Sequence, residues 1–352
     1  MRLASVEVIP YALPFRKPYV TARGKLEQRE MVLLRIRSDD GLVGLGEAVP
    51  LSMRGGAGLA DVVAELERLD ERGSLDEATL LGSAPQLSAP ARCAALTALL
   101  DLRGRRAGAK GPSHPVEAKG VECNATLVAD EAPTVAAEAM RWAEDGFTTF
   151  KLKLGTGDDF AQVLAVREAV GPRARIRIDA NAAWDVETAK RTLRSLEPLE
   201  IELAEQPVAT LEEAAEVAAS TSIPIAADES VESKADAERA REMNACALTG
   251  IKLSKVGGPE AAIEIAEVLP AYLSSALDGP VGIAAAAQVA QTLSEVAAAG
   301  APGPAHGLAT QRLFSSTIAA VECEIRDGAL FPPAGPGLGV EIDEAALAAH
   351  RI

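Results

Sequence analysis

Five residues carry groups suited to acid–base and metal chemistry at a nearly regular interval: Lys153, Asp179, Glu205, Asp228 and Lys252. They lie about 23 to 26 residues apart, the length of one strand, one helix and two turns in a β/α barrel. Each stands at or near the end of a short apolar run that reads as a strand, such as Ile176-Arg-Ile-Asp179 or Ile201-Glu-Leu-Ala-Glu205. The C-terminal ends of parallel barrel strands converge on one mouth. Three carboxylates from consecutive strands should therefore meet there, with a lysine on either side.

Three convergent carboxylates suit a hard divalent cation, Mg²⁺ first and Mn²⁺ as the alternative. Without a cation they would repel one another, and one would take up a proton. The flanking lysines are then the acid–base groups. Lys151 shares a strand face with Lys153, and a neighbouring ammonium and a cation are expected to push the Lys153 pKa down toward neutrality. A single strand-end acid is commonly a helix N-cap, and Asp179 and Asp228 each admit that role. Caps do not account for the ordered series Lys, Asp, Glu, Asp, Lys.

The elements that must position these groups can be placed along the chain. Residues 1 to about 50 alternate like antiparallel strands, with a hairpin signal at Ser38-Asp-Asp-Gly41. Helices are expected at 58–70 and 88–107, and a linker at 111–115. From about 120 the pattern becomes strand, helix, strand, helix. Val121 to Thr126 opens the barrel, and helices are expected at 132–145, 158–170, 185–196, 210–219, 233–242 and 258–268. A seventh strand over 271–277, a helix over 283–296 and an eighth strand near 305–310 complete it. Residues 1–118 thus form an α+β domain, completed by 318–352, and 119–317 form the barrel. The segments 18–24, which contains Arg23, and 50–56 read as loops able to close over a pocket.

Composition narrows the function. The 352 residues are 48% hydrophobic but only 3% aromatic, so Ala, Val and Leu must fill a large core. A net charge of −16 argues against nucleic acid or an anionic membrane as partner. No secretory signal or membrane span is evident, and a cytoplasmic location is expected. Cys93, Cys123, Cys246 and Cys323 are too scattered for a thiolate metal site and read as free thiols. His306 falls near the expected mouth, as a ligand contact or a packing residue. The partner is expected to be a small molecule, and a homo-oligomer is left open.

Together the motifs Lys151-Leu-Lys153, Arg177-Ile-Asp-Ala-Asn-Ala-Ala-Trp184, Ala204-Glu-Gln-Pro207, Ala227-Asp-Glu-Ser230 and Ile251-Lys-Leu-Ser-Lys-Val-Gly-Gly258 resemble the enolase superfamily, specifically its muconate-lactonizing-enzyme subgroup. The resemblance covers nearly the whole chain. It implies an α/β fold, a modified TIM barrel with an α+β capping domain built from the N-terminal region and the C-terminal tail. It implies Asp179, Glu205 and Asp228 as Mg²⁺ ligands, Lys153 as the base and Lys252 as the lysine opposite. The shared chemistry is proton abstraction next to a carboxylate, and such sites are known for a Lys or His base with Mg²⁺. Asn181, Glu229, Lys151, Arg23, Ser274 and Ser275 are further candidates for contact with substrate or with the ligands.

Within the subgroup, Ser274-Ser-Ala-Leu277 is similar to the o-succinylbenzoate synthases, especially actinobacterial ones. This implies dehydration of 2-succinyl-6-hydroxy-2,4-cyclohexadiene-1-carboxylate in menaquinone biosynthesis. The sequence departs from that family at Pro280 and Ala309. N-succinylamino acid racemase or dipeptide epimerase is the second expectation, then muconate cycloisomerase. A silent binding barrel or a Schiff-base aldolase would leave the set of three carboxylates unexplained.

Overall fold

The computed structural model describes residues 1–21, 24–52, 55–70, 75–108, 120–155, 157–296 and 303–352. The expected linker at 111–115 and Arg23 lie outside them. Strands β1 (Leu3–Thr21) and β2 (Gly24–Ser38) pair antiparallel, and β3 (Val43–Ala48) lies on the other side of β2. The described part of segment 18–24 is therefore strand rather than loop. Helices α1 (Leu59–Glu67), α2 (Glu77–Ser83) and α3 (Ala89–Ala107) follow. The sequence reading did not anticipate α2, which Asp76 caps by accepting from the Thr79 amide at 2.8 Å.

The central stretch of the capping sheet, residues 31–36 of β2, is largely buried on both faces. Val32, Leu34 and Ile36 of β2 pack with Val62, Leu66 and Leu99 of the helices, whereas Met31 and Leu33 join the barrel core. Helix α3 presses close against β3. A Cβ on Gly44 would stand 2.1 Å from the Ala98 carbonyl, and one on Gly46 would stand 1.9 Å from that of Ala94. Only glycine permits this approach.

The barrel begins after β4 (Val121–Glu122) with β5 (Ala125–Leu127), so the expected opening strand is split in two. It continues through α4 (Ala132–Glu144), β6 (Thr149–Lys153), α5 (Asp159–Val170), β7 (Arg175–Asp179), α6 (Val186–Leu196), β8 (Ile201–Glu205), α7 (Leu211–Ala218), β9 (Ile225–Ala227), α8 (Lys234–Glu242) and β10 (Leu248–Ile251). The short α9 (Leu253–Val256), α10 (Pro259–Ala266), β11 (Ala271–Leu273) and α11 (Pro280–Val296) come next. Strands β5 to β11 pair in chain order as one parallel sheet of seven described strands.

The expected eighth strand is reduced to two parallel bridges, Cys123 with His306 and Ser274 with Gly307, which join the two edges of the sheet. A 3-10 turn at Ala309–Leu313 ends the pairing there. The seventh strand is also shorter than expected. The Asp278 carboxylate accepts from the Ala276 amide at 2.7 Å, Leu277 takes φ +67°, and the chain leaves the sheet after Leu273. Helix α11 starts three residues earlier than expected, because proline is favoured at a first helical position. The tail adds β12 (Ala319–Val321), β13 (Glu324–Arg326), β14 (Ala329–Phe331), β15 (Glu341–Ile342) and α12 (Glu344–His350), the last not foreseen in a Gly/Pro-rich stretch. It returns to β1, where the Ile352 amide donates to the Pro10 carbonyl. No helix among the described residues is long and apolar enough to cross a membrane.

Candidate active site

Lys153, Asp179 and Glu205 are the last residues of β6, β7 and β8, and Asp228 and Lys252 directly follow β9 and β10. The register pairs Lys153 with Asp179 and Asp179 with Glu205. All three carboxylates are 0% exposed. Isolated charges so deeply buried would be untenable, and each is paired. Lys151 donates to both Glu205 oxygens at 2.7 and 2.6 Å and lies 2.9 Å from Asp179. Lys153 donates to Asp179 Oδ2 at 2.5 Å and to Asn181 Oδ1 at 3.0 Å. From the other side, Lys252 donates to Asp228 Oδ2, and Lys255 to the Asp228 carbonyl and Oδ1.

These pairings decide the electrostatics. Burial alone would raise the Asp179 pKa, but Lys151, Lys153 and Lys252 override it and hold the carboxyl well below its usual range. Glu205 is shifted upward, by burial first and then by the Asp179 charge. Burial would lower the Lys151 and Lys153 pKa values, yet Asp179 and its acidic neighbours outweigh it and hold both above the ordinary lysine value. The expected depression of Lys153 is therefore not seen. The Lys151 ammonium does act downward on it, but more weakly than the Asp179 carboxylate acts upward.

Among the described residues, no three acidic, His or Cys side chains stand close enough together to share a metal ion. The carboxylate oxygens face ammonium groups instead. The donor set nevertheless fits a hard cation in kind: three buried carboxylates on neighbouring strand ends, with no sulfur or imidazole among them.

Neither aspartate is a helix cap. Asp185 caps α6 and Ser233 caps α8. Asp179 Oδ1 does accept the Asn181 amide at 2.9 Å, in a local turn where Asn181 and Ala182 have φ of +48° and +60°. This turn places Asn181 between Lys153 and Glu229, and its Nδ2 donates to Glu229 at 3.1 Å. Glu229 itself lines a separate cleft with Lys255.

Several contributors escaped the sequence reading. Gln206, at φ +39°, accepts from the Asp228 and Ser230 amides and so holds the turn after β9. The Tyr272 hydroxyl donates to Glu205 from below, with the Arg177 guanidinium 5.2 Å from its ring centre. Gly250 makes room for that phenol, since a Cβ there would stand 3.0 Å from the hydroxyl. Lys255 and Gln206 stand inside the sequence motifs Ile251–Gly258 and Ala204–Pro207, without a role assigned there; Tyr272 had no signal.

A pocket opens above the strand ends. Lys151, Lys153, Asn181 and Lys252 line its base, Ser274 to Leu277 one wall, and Tyr19, Arg29, Pro50 and Leu51 the capping-sheet side. Ser274 and Ser275 thus reach the pocket, although Ser275 also donates to Asp278 at 2.8 Å. Arg29 also donates to the Pro50 carbonyl at 2.8 Å. His306 instead lies at the barrel seam, where its Nδ1 accepts from the Leu273 amide at 2.9 Å and burial pushes its pKa down to about 4.

Comparison with known proteins identifies the family of this chain. Residues 134–346 match the family described as "Enolase C-terminal domain-like", and residues 4–110 match "Mandelate racemase / muconate lactonizing enzyme, N-terminal domain". An o-succinylbenzoate synthase from Thermobifida fusca is 40% identical over 241 residues, covering 66% of this chain and 71% of the relative. Muconate lactonizing enzyme from Pseudomonas fluorescens, solved with muconolactone, superposes with a TM-score of 0.90 at 28% identity over 99% of both chains. Dipeptide epimerase from Enterococcus faecalis V583, solved with Mg and the dipeptide L-Leu-L-Tyr, gives a TM-score of 0.84 at 26% identity, over 97% of this chain and 100% of the other. The chain belongs to the enolase superfamily, as a modified TIM barrel with a capping domain of the mandelate racemase / muconate lactonizing enzyme type.

Proposed function

We propose that this enzyme is an o-succinylbenzoate synthase, a carbon–oxygen lyase that dehydrates 2-succinyl-6-hydroxy-2,4-cyclohexadiene-1-carboxylate in menaquinone biosynthesis. The observation that carries it is the placement of Lys153 and Lys252 on opposite sides of three buried carboxylates, beneath a pocket walled by Ser274 to Leu277. The 40% identity to the T. fusca synthase supports dehydration over the other reactions of the family.

Asp179, Glu205 and Asp228 are the residues that would hold Mg²⁺, the metal present in the E. faecalis epimerase structure. A divalent cation on them would neutralise the charge that keeps Lys153 protonated and, as a Lewis acid, stabilise negative charge on the substrate carboxylate. Lys153 Nζ takes the proton from the carbon beside that carboxylate, leaving an enediolate. The resulting Lys153 ammonium gives its proton to the departing hydroxyl, which leaves as water while the ring becomes aromatic. Lys252 keeps its proton and faces the developing anion from the opposite side. Asn181 accepts from Lys153 and so aims its Nζ. The capping-sheet residues close the pocket and limit water.

An ultraviolet assay with Mg²⁺ and the cyclohexadiene substrate tests this reading. Rising absorbance of the aromatic product is expected. If the protein instead washed solvent deuterium into the α-carbon of an N-succinylamino acid or dipeptide and formed no aromatic product, the racemase or epimerase reading would replace it.

A further inference from the structure

We propose that Glu47 is a positioning residue, by which the capping sheet fixes the pocket wall at 274–277 and sets how tightly substrate is held. Glu47 lies on β3 directly opposite Leu33 and is buried on the face turned to the barrel. Its Oε1 accepts from the Gly279 amide at 2.6 Å, and its Oε2 from the Val281 amide at 3.3 Å. Tyr11, on β1, donates its hydroxyl to the same Oε2 at 2.9 Å. One carboxyl thus joins two capping strands to the start of α11, where free backbone amides favour an acceptor.

The barrel is shaped to receive it. A Cβ on Gly279 would stand 2.3 Å from the Tyr11 hydroxyl and 2.8 Å from Glu47, and one on Gly282 would stand 2.7 Å from Glu47. The next residue back, Asp278, accepts from Ser275 Oγ and the Ala276 amide at 2.8 and 2.7 Å. Hydrogen bonds therefore run from the capping sheet through Gly279 and Asp278 to Ser275 and Ala276, which line the pocket. None of these residues lies at the proton-transfer lysines, so the link bears on the binding of substrate rather than on the chemical step.

The test compares Glu47→Ala, Glu47→Gln and the milder Tyr11→Phe in the full chain with Mg²⁺. Glu47→Ala is expected to speed amide hydrogen exchange in peptides spanning 274–283. It should also raise KM about tenfold with kcat nearly unchanged, as expected for losing one or two buried hydrogen bonds. Glu47→Gln should restore most of both, and Tyr11→Phe should fall between. Unchanged exchange in Glu47→Ala, or in Tyr11→Phe should the first variant not fold, would overturn the proposal, as would a loss in kcat alone. The KM arm rests on the dehydratase reading and the exchange arm does not. Failure of that reading appears as an inactive wild type, whereas failure of the link appears as unaltered exchange.

Discussion

At the level of single residues, the site is a balance of buried charges rather than a set of independent groups. Asp179, Glu205 and Asp228 were legible from their types and interval, because strand ends in a barrel recur with the length of a βα unit. Lys151, Lys153 and Lys252, which pair with them, were legible too, but Tyr272 behind Glu205 was not. The Tyr272 hydroxyl reaches Glu205 across the barrel interior, and no local pattern announces a contact between residues so far apart in sequence. We expect Tyr272→Phe to weaken Mg²⁺ binding about tenfold by calorimetry, the scale typical of lost support behind a ligand. Unchanged affinity would mean that Lys151 alone orients Glu205.

At the level of elements, most barrel strands and helices followed from periodicity, whereas the short α2 and α12 did not, and β11 and the eighth position were misread where local turns override the pattern. The Asp278 turn cuts β11 short, and the 3-10 turn after Leu308 leaves the eighth position only two bridges. The junction of β3 with α11 carries a testable dependence on pH. Burial first, and then the Asp278 charge, push the Glu47 carboxyl up to about 8 from an ordinary 4.5. Tyr11, Asp278 with Arg29 near it, Cys93 and Glu322 are the other titratable or charged groups facing this cluster. Below pH 4.5 both folded and unfolded chains hold the proton. As pH rises toward 8 the unfolded chain releases it while the folded chain keeps it, so stability falls across that window. His306, lowered to about 4, acts in the opposite sense, since its contribution is complete above pH 6.5 and is lost as pH falls toward 4. Between pH 6.5 and 8 the wild type should therefore lose roughly 2 kcal/mol more unfolding free energy than Glu47→Gln in denaturant titrations. Equal slopes would show that Glu47 is ionised in the folded protein.

At the level of the whole molecule, the fold gathers groups from separate βα units onto one mouth and covers them with a sheet from the other end of the chain. The motifs made the superfamily legible, but the reaction depends on pocket walls built from β1, β2 and the segment after β11, which meet only in three dimensions. Cation binding should stabilise the folded chain as a unit. With Mg²⁺ at about 100 times its Kd, the gain is about 2.7 kcal/mol, visible as a raised Tm. Asp179→Asn should abolish that response, and a rise persisting in this variant would place the ion elsewhere. In the proposed reaction Lys153, above buried carboxylates that would hold Mg²⁺, carries out the proton transfers of a dehydration. Its most direct test is the rate of aromatic product formation from the cyclohexadiene carboxylate, with Mg²⁺, for wild type and Lys153→Ala side by side. Rapid turnover by the wild type and a fall of about 10³-fold or more in the variant are expected. Near-normal dehydration by Lys153→Ala would contradict it.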